Sequence, residues 1–201
     1  GRLERHTVEL FERLGYDCSA LHEKGRRLIL PLGESGIRVI LAKAADVLTY
    51  VEKGVADIGV VGKDTIMENG GSFYEVLDLG FGKCRVALAC KEGYDIYAGY
   101  SAKVIASKYP KVALDFFENK GLDVDIVKIE GSVELAPLVG LADGIVDIVE
   151  TGGTLKENGL RVVEEIAPVS ARMIVNTVSM KMKRRRVGEI IEKVEGTLCR
   201  E

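Results

Sequence analysis

Hydrophobic positions along the chain alternate between the spacing of helices and the spacing of strands. In residues 3–14 the apolar side chains recur at helical spacing, which predicts a helix that stops at Gly15. Farther along, short runs of Val, Ile and Leu are typical of buried strands. They predict strands at 28–30, 39–41, 58–61, 76–79 and 86–89. Two helices are predicted among them, one from an N-cap at Asp46 to Gly54 and one over 63–69.

After Cys90 a polar segment precedes a second series of the same kind. It predicts strands at 104–106, 124–129 and 145–149 and helices at 111–119 and 135–141. An apolar stripe from Val187 to Val194 predicts a last helix. Because strands that alternate with helices favour parallel pairing, we predict an α/β protein. It would have two lobes, each a mainly parallel sheet with flanking helices, and a ligand cleft between them.

Composition narrows the function classes. The 201 residues include 28 Lys and Arg against 31 Asp and Glu, a net charge of −3 that argues against a general nucleic-acid-coating protein. No apolar run reaches the roughly 20 residues of a membrane span, and the first residues do not resemble a signal peptide. The cysteines have neither disulfide nor metal spacing, and two isolated histidines suggest no metal site. We therefore predict a cytoplasmic protein with reduced thiols at Cys18, Cys84, Cys90 and Cys199.

A basic cluster at 181–186 precedes the last predicted helix. It is either the solvated start of a charged helix or a contact for nucleic acid. Since the cluster is short and isolated, we favour the solvated helix start and expect neither a nucleic-acid partner nor a membrane partner.

The segment 144–159 carries the most informative chemical pattern. An apolar strand with the acidic residues Asp147 and Glu150 leads into the turn Thr151-Gly152-Gly153-Thr154, and a helix follows. Such a turn directs backbone N–H groups and hydroxyls at one point, where the helix N-terminus adds a partial positive charge. Carboxylates accept hydrogen bonds from neighbouring sugar hydroxyls. A phosphate at the turn and hydroxyls at the carboxylates together describe a ribose 5-phosphate.

A purely structural interpretation of this segment remains open. Gly-rich turns commonly join strands to helices in α/β folds, and Thr154 with Glu157 has the spacing of a capping box. The acidic residues favour a binding site, because buried and unpaired carboxylates would be costly. Other motifs fail: residues 57–64 depart from a P-loop at two positions, and no nucleophile elbow is present.

The sequence around the turn resembles a known enzyme family. Residues 131–143 and 146–155 closely resemble the signature of ATP phosphoribosyltransferase, which opens histidine biosynthesis. Three further segments resemble other parts of that family: 42–59, 105–110 and 174–179. The resemblance implies a two-lobed fold like that of type II periplasmic binding proteins. Residues 1–90 with 170–201 would form the first lobe, and 91–169 the second.

The resemblance also implies a reaction. The family joins adenine N1 of ATP to C1 of 5-phosphoribosyl 1-pyrophosphate, the donor, and releases pyrophosphate. Mg²⁺ would be held mainly by substrate, because this ion usually takes few protein ligands. A chain that ends soon after Val194 is typical of the short form. That form works with a regulatory subunit resembling histidyl-tRNA synthetase, and the family forms dimers and larger assemblies.

Roles for individual residues follow from the resemblance. The 5-phosphate would lie against Thr151, Gly152, Gly153, Thr154 and Leu155, and Asp147, with Glu150 as a weaker partner, would hold the ribose hydroxyls. Arg26 and Lys43 would supply positive charge to the pyrophosphate or the ATP phosphates. For Arg26 the alternative is a surface salt bridge.

Four further residues are weaker expectations. Arg2 and Lys108 would contact substrate phosphates. Ser132 and Glu134 would lie at another helix start facing the substrate, with simple capping as the alternative.

Two other function classes fit the pattern of residues. A two-lobed α/β protein can bind a small anion without any chemistry, and an inactive regulatory relative would keep the same fold. Release of pyrophosphate from ATP and the donor separates an enzyme from both.

Overall fold

The computed structural model describes residues 1–99 and 101–199. In chain order the elements are α1 (Arg2–Arg13), α2 (Ser19–His22), β1 (Ile29–Pro31), β2 (Arg38–Ile40), α3 (Ala44–Glu52), β3 (Ile58–Gly62), α4 (Lys63–Asn69), β4 (Phe73–Asp78), β5 (Cys84–Lys91), β6 (Lys103–Ser107), α5 (Pro110–Asn119), β7 (Val124–Lys128), α6 (Leu135–Leu138), β8 (Gly144–Val149), α7 (Gly153–Glu157), β9 (Leu160–Val169), β10 (Ala171–Asn176), α8 (Thr177–Met182) and α9 (Arg184–Leu198).

These elements form two compact units. The first contains residues 1–66, 70–82 and the chain from Ser170 onward, and the second contains 67–69 and 83–169. The sequence division assigned residues up to 90 to the first lobe, whereas β5 lies in the second unit. The reason is pairing, because β5 bonds to β8 on one side and to β9 on the other, and both belong to the second unit.

The first unit is built on a sheet of order β3-β10-β4, in which both pairs are antiparallel. Alternation along β10 sends Met173 and Ile174 to opposite faces. Met173 packs with Leu10 of α1 and Val194 of α9, and Ile174 packs with Val51 of α3. A separate antiparallel hairpin, β1 with β2, covers its own small core.

The second unit is built on a sheet of order β7-β6-β8-β5-β9. β6 is parallel to both β7 and β8, whereas β5 is antiparallel to both β8 and β9. On one face Val146 packs with Phe117 of α5. On the other face Ile145 packs with Ala136 of α6 and Leu155 of α7. The sheet therefore has helices on both faces.

The α/β class is confirmed, but the sheets are mixed rather than mainly parallel. The prediction inferred parallel pairing from strands that alternate with helices, yet β10 is antiparallel to β3 and β4, and β5 is antiparallel to β8 and β9. The sequence analysis also predicts no strand over 160–176, where β9 and β10 lie. Pairing of β9 with β5 shifts register twice, which interrupts the regular alternation that identifies a strand.

The structure bears on three expectations from composition, which concern membrane spans, the cysteines and the basic cluster at 181–186. Among the residues that the structure describes, no helix is both long enough and apolar enough to cross a membrane. Among the described residues, Cys18, Cys84, Cys90 and Cys199 form no disulfide. Within the basic cluster, Lys183 bonds to Asp57 and Arg186 donates to the carbonyl of Ser35, both inside the first unit.

Candidate substrate site

The carboxyl ends of the parallel strands of the second unit meet at one edge of its sheet. β6 pairs with β8 up to Ser107 and Val146, and β8 continues to Val149. Lys108 follows β6 directly, and the turn from Thr151 to Gly153 follows β8. Ligands of open α/β sheets bind at this kind of edge. The two strand ends therefore bring the predicted phosphate turn and Lys108 to the same side of the sheet.

Gly152 sets the shape of the turn. It is the N-cap of α7 and has a φ of +81°, a conformation that favours glycine. The N–H of Lys156 donates to the carbonyl of Gly152 at 3.1 Å, which is the first bond of the helix. The N–H groups of Thr154 and Leu155 come earlier and have no acceptor within the helix. They are therefore available to an anion at this turn.

The capping box predicted for Thr154 and Glu157 is wrong. The left-handed conformation of Gly152 lets the helix start at Gly153, so Thr154 is its second residue and makes no side-chain cap. Its side chain is exposed, whereas Leu155 is buried against Val149 and Ile145 and anchors the turn. The hydroxyl of Thr154 is thus directed to solvent, where a substrate can reach it.

Asp147 is the half-buried carboxylate of the edge. It shares a face of β8 with Ile145 and Val149, which lie in the core under α6 and α7. Burial raises the pKa of Asp147, and the negative charge of Glu134 raises it further. A hydrogen bond from the Ile148 N–H and the positive charge of Lys108 both lower it. The structure therefore brings Asp147, Glu134 and Lys108 within electrostatic range of one another.

Glu134 and Ser132 lie at the start of α6. Glu134 is the N-cap residue but makes no side-chain capping bond, and Ser132, two residues earlier, is exposed. The carbonyl of Ser132 accepts the N–H of Leu135 at 3.3 Å, so its contribution to the turn comes from the backbone. Simple side-chain capping is therefore not the role of Glu134.

Glu150 lies apart from this group. It is exposed and lines an open groove of about 610 Å³ with Lys83, Arg85 and Glu165, a lining that does not include Asp147. Glu150 comes just after β8 ends at Val149, so it lies outside the strand that carries Asp147. The structure thus does not place the two acidic residues as one pair.

A second helix N-terminus at the same edge is already closed by a carboxylate. α5 begins just after β6, and Glu68 accepts the backbone N–H of Lys111 at 3.2 Å and that of Val112 at 3.1 Å. Glu68 is a residue that the sequence analysis missed, since it lies 43 positions from Lys111 with no local capping pattern. At the N-terminus of α7 the N-cap residue Gly152 has no side chain to act as a cap, and the N–H of Gly153 makes a long bond of 3.4 Å to the Thr151 hydroxyl.

Arg26, Lys43 and Arg2 belong to the first unit. Arg26 is exposed in the turn before β1 rather than at a strand end, and among the described residues its side chain has no hydrogen bond or ion pair, so the salt-bridge alternative is not seen. Lys43 is the exposed N-cap of α3, whereas the predicted cap Asp46 lies inside the first helical turn. Arg2 is the exposed first residue of α1.

Metal-ligating residues are sparse. In the described part of the chain no group of three or more His, Cys, Asp or Glu side chains is arranged to hold a metal ion. Mg²⁺ needs only one or two carboxylates when substrate phosphates supply its other ligands. Asp147 and Glu134 fit that requirement.

Comparison with known proteins identifies the family. A model of the family described as "HisG: ATP phosphoribosyltransferase" matches residues 43–196. The chain belongs to the ATP phosphoribosyltransferase family. It is 59% identical over 195 residues to the ATP phosphoribosyltransferase of Clostridium kluyveri, covering 97% of this chain and 89% of that protein. It is 55% identical over 201 residues to that of Clostridium acetobutylicum, with 100% and 94% covered.

Solved structures agree with this assignment. The ATP phosphoribosyl transferase (HisG:HisZ) complex from Thermotoga maritima matches with a TM-score of 0.86 and 34% identity, covering 100% of this chain and 96% of that one. Holo ArgBP from T. maritima matches with a TM-score of 0.50 at 9% identity, over 81% and 71% of the chains, a likeness of fold alone. The predicted fold, like that of type II periplasmic binding proteins, is confirmed.

The predicted activity is confirmed as well. The chain is an ATP phosphoribosyltransferase, a pentosyltransferase that carries out the first step of histidine biosynthesis. An ATP phosphoribosyltransferase must bring two polyanionic substrates together, which gives the cationic and N–H-rich features described above a chemical purpose.

Proposed function

We propose that the second unit of this ATP phosphoribosyltransferase binds 5-phosphoribosyl 1-pyrophosphate at the carboxyl edge of β6 and β8. The observation that carries the proposal is the half-buried carboxylate of Asp147, which lies on β8 a few residues before the turn at Gly152 and within electrostatic range of Lys108. A buried carboxylate without a salt-bridge partner costs stability, so its retention supports a role in binding.

The turn after β8 takes the 5-phosphate. The backbone N–H groups of Thr154 and Leu155 donate to phosphate oxygens, and that of Gly153 does so in place of its 3.4 Å bond to the Thr151 hydroxyl. The hydroxyls of Thr151 and Thr154 add donors. Gly152 lets the chain enter α7 without a side chain beside the phosphate. The closed N-terminus of α5, where Glu68 already accepts the N–H groups, supports the turn at α7 as the anion site.

Asp147 accepts hydrogen bonds from the ribose hydroxyls, and Glu134 assists from α6. Lys108 and Ser132 contribute weaker contacts to substrate phosphates. Glu150, which faces the groove lined by Arg85 and Glu165, is a less direct partner of the ribose than Asp147.

The chemical step needs positioning and charge stabilisation more than a strong base. The lone pair of adenine N1 forms the bond to C1 of the ribose, the bond from C1 to the pyrophosphate oxygen breaks, and its electron pair leaves with pyrophosphate. The nucleophile is a neutral ring nitrogen. Arg26 and Lys43, with Arg2 as a weaker contributor, supply positive charge to the pyrophosphate or to the ATP phosphates.

Mg²⁺ fits the donor set of this edge. When bound, it neutralises phosphate charge, with most of its ligands coming from substrate and one or two from Asp147 and Glu134. The protein residues hold the sugar and the phosphate in place.

We further propose a regulatory partner and a cytoplasmic location. The solved relative from T. maritima is a HisG:HisZ complex and spans this whole chain, which supports assembly with a subunit resembling histidyl-tRNA synthetase in addition to homodimers or larger assemblies. Cysteines that lack the spacing of a disulfide framework support a reducing compartment.

Thr154→Val tests the donor site. It keeps the side-chain shape but removes the hydroxyl, so we expect the KM for the donor to rise by about tenfold, the value of a hydrogen bond to a charged group. Thr197→Val on α9, whose hydroxyl donates to the carbonyl of Lys193 one turn earlier, is the matched control and should leave the donor KM unchanged. A donor KM that is the same in Thr154→Val and the wild type would contradict the proposed phosphate site.

A further inference from the structure

Ser107 is a fully buried hydroxyl at the point where β6 stops pairing with β8. Its Oγ donates to the carbonyl of Val146 at 2.6 Å and accepts the backbone N–H of Tyr109 at 2.8 Å. The carbonyl of Ser107 also accepts the N–H of Ile129, just after β7, at 3.0 Å. One residue therefore ties together the ends of β6 and β8 and the segment after β7.

The groups that Ser107 holds are the neighbours of two donor-site residues. Val146 directly precedes Asp147, and Lys108 lies between Ser107 and Tyr109. The hydroxyl thus fixes the backbone immediately before Asp147 and on both sides of Lys108. Its bond to the N–H two residues ahead closes a local turn of the kind that serine hydroxyls form. This turn directs the chain out of the sheet at Lys108 and into α5.

Packing alone does not explain a serine at this position. Ile105 and Ala106 precede it in β6, and both are fully buried apolar residues. Burial of a hydroxyl is unfavourable unless its bonds are made, and an apolar residue would fill the same space without that requirement. What the hydroxyl adds is a fixed geometry between two strand ends, because it satisfies a carbonyl on one and an N–H beyond the other.

We propose that Ser107 is a positioning residue of the donor site, whose hydroxyl sets the placement of Lys108 and Asp147 relative to each other. This inference rests on the proposed function, in which both residues contact the donor. Ser107 itself touches no substrate. Its loss lets the end of β6 separate from β8, so the affinity for the donor falls while the chemical step is little changed.

Two substitutions of nearly equal shape isolate the hydroxyl. Ser107→Thr keeps it and Ser107→Val replaces it with a methyl group, so the pair differs in hydrogen bonding alone. Ser107→Ala provides a smaller variant that avoids overpacking. Ser179→Ala is the matched control, because Ser179 is also buried and donates at 2.6 Å, to Asp57, but belongs to the first unit.

The measurements are the KM for the donor, the KM for ATP, kcat per correctly folded protein and the midpoint of thermal unfolding. We expect Ser107→Val and Ser107→Ala to raise the donor KM by about tenfold, since small misplacement of binding groups has large effects. The ATP KM should stay within about twofold, and Ser107→Thr should restore the donor KM. Ser179→Ala should lower the unfolding midpoint similarly while keeping the donor KM of the wild type.

A merely structural role gives a different pattern. It lowers the unfolding midpoint and the folded fraction in both the Ser107 and Ser179 variants, while the donor KM and the kcat per correctly folded protein stay unchanged. That result overturns the positioning role. The proposed donor site is tested separately by Thr154→Val. An unchanged donor KM in Thr154→Val contradicts that site. A raised donor KM in Thr154→Val together with an unchanged donor KM in the Ser107 variants supports the site and contradicts only the role of Ser107.

Discussion

Asp147 of β8 lies directly opposite Ala87 of β5 in the antiparallel pair of these strands. Ala87 is fully buried, and its methyl group offers the carboxylate no polar partner. Burial accordingly raises the pKa of Asp147. An ionised carboxylate at this position opposes folding, so the proposed donor site includes a group that lowers the stability of the protein, as functional sites often do.

Asp147→Asn should therefore raise stability while it removes function. An acid whose pKa is higher in the folded than in the unfolded state destabilises the fold above that pKa, and stability falls as pH rises between the unfolded and folded values. The cost is fully present above the folded-state pKa, so we expect the Asn variant to unfold at a higher temperature there. The gain should vanish below the unfolded pKa of about 4.

The same variant should raise the donor KM by about tenfold or more, the value of a charge-assisted hydrogen bond. Asp125→Asn, an exposed position on β7, is the control and should leave the donor KM unchanged. Equal stability of Asp147→Asn and the wild type at neutral pH would show that burial of the carboxylate carries no cost.

Gly152→Ala separates backbone strain from anion binding. An added Cβ would meet nothing closer than Val149 Cγ1 at 3.8 Å, so the cost comes from the φ of +81° and should be about 1 kcal/mol of unfolding free energy. Gly121→Ala is the control, since its φ is +68° and no atom lies within 4 Å of the added Cβ. Chemical denaturation should show similar destabilisation in both, and only Gly152→Ala should raise the donor KM.

Lys43→Ala tests the charge supplied by the first unit. Lys43 is exposed at the N-cap of α3, so its removal should hardly affect stability. If its charge acts on the departing pyrophosphate, kcat should fall by about a hundredfold with a smaller change in the donor KM. Lys53→Ala, at the other end of the same helix, should retain wild-type kinetics. A raised donor KM at an unchanged kcat would instead indicate uniform binding of ground state and transition state.

Glu68→Ala should destabilise the second unit through α5. The carboxylate accepts the N–H groups of Lys111 and Val112, and removal of such a cap costs about 1 kcal/mol of unfolding free energy. Urea denaturation measures this loss. Glu118→Ala, in the last turn of α5, should be neutral or slightly stabilising, because a negative charge there opposes the helix dipole. A loss in Glu118→Ala as large as that in Glu68→Ala would exclude capping as the cause.

Local patterns of sequence predicted the second unit well up to Val149. The strands at 104–106 and 145–149 and the helix at 111–119 follow from regular spacing and are confirmed. Gly152 at the turn and Asp147 at the strand end are recognisable because their chemistry lies within a few residues. Partners that are distant in sequence cannot be recognised in this way. Nothing in the sequence near Glu68 indicates that it caps a helix more than forty residues away.

Local sequence patterns also could not predict that the sheets mix parallel and antiparallel strands. Whether β5 is parallel or antiparallel to β8 depends on where the chain crosses from one unit to the other, and apolar periodicity is the same for both. The hydrogen bond of Ser107 shows a further limit of sequence-based prediction. The sequence shows a serine in an apolar strand, but the acceptor of its hydroxyl, the carbonyl of Val146, depends on which strand pairs with β6.

The participation of residues 67–69 in the second unit has a consequence for protein engineering. A gene fragment encoding only 83–169 would omit both the glutamate that closes α5 and Met67, which packs against the main core of that unit. A fragment starting at 67 would keep them but would also carry β4, whose pairing strand β10 would be missing. No single pair of cuts yields an intact donor-binding half, so neither half is a module that could be transplanted by simple excision.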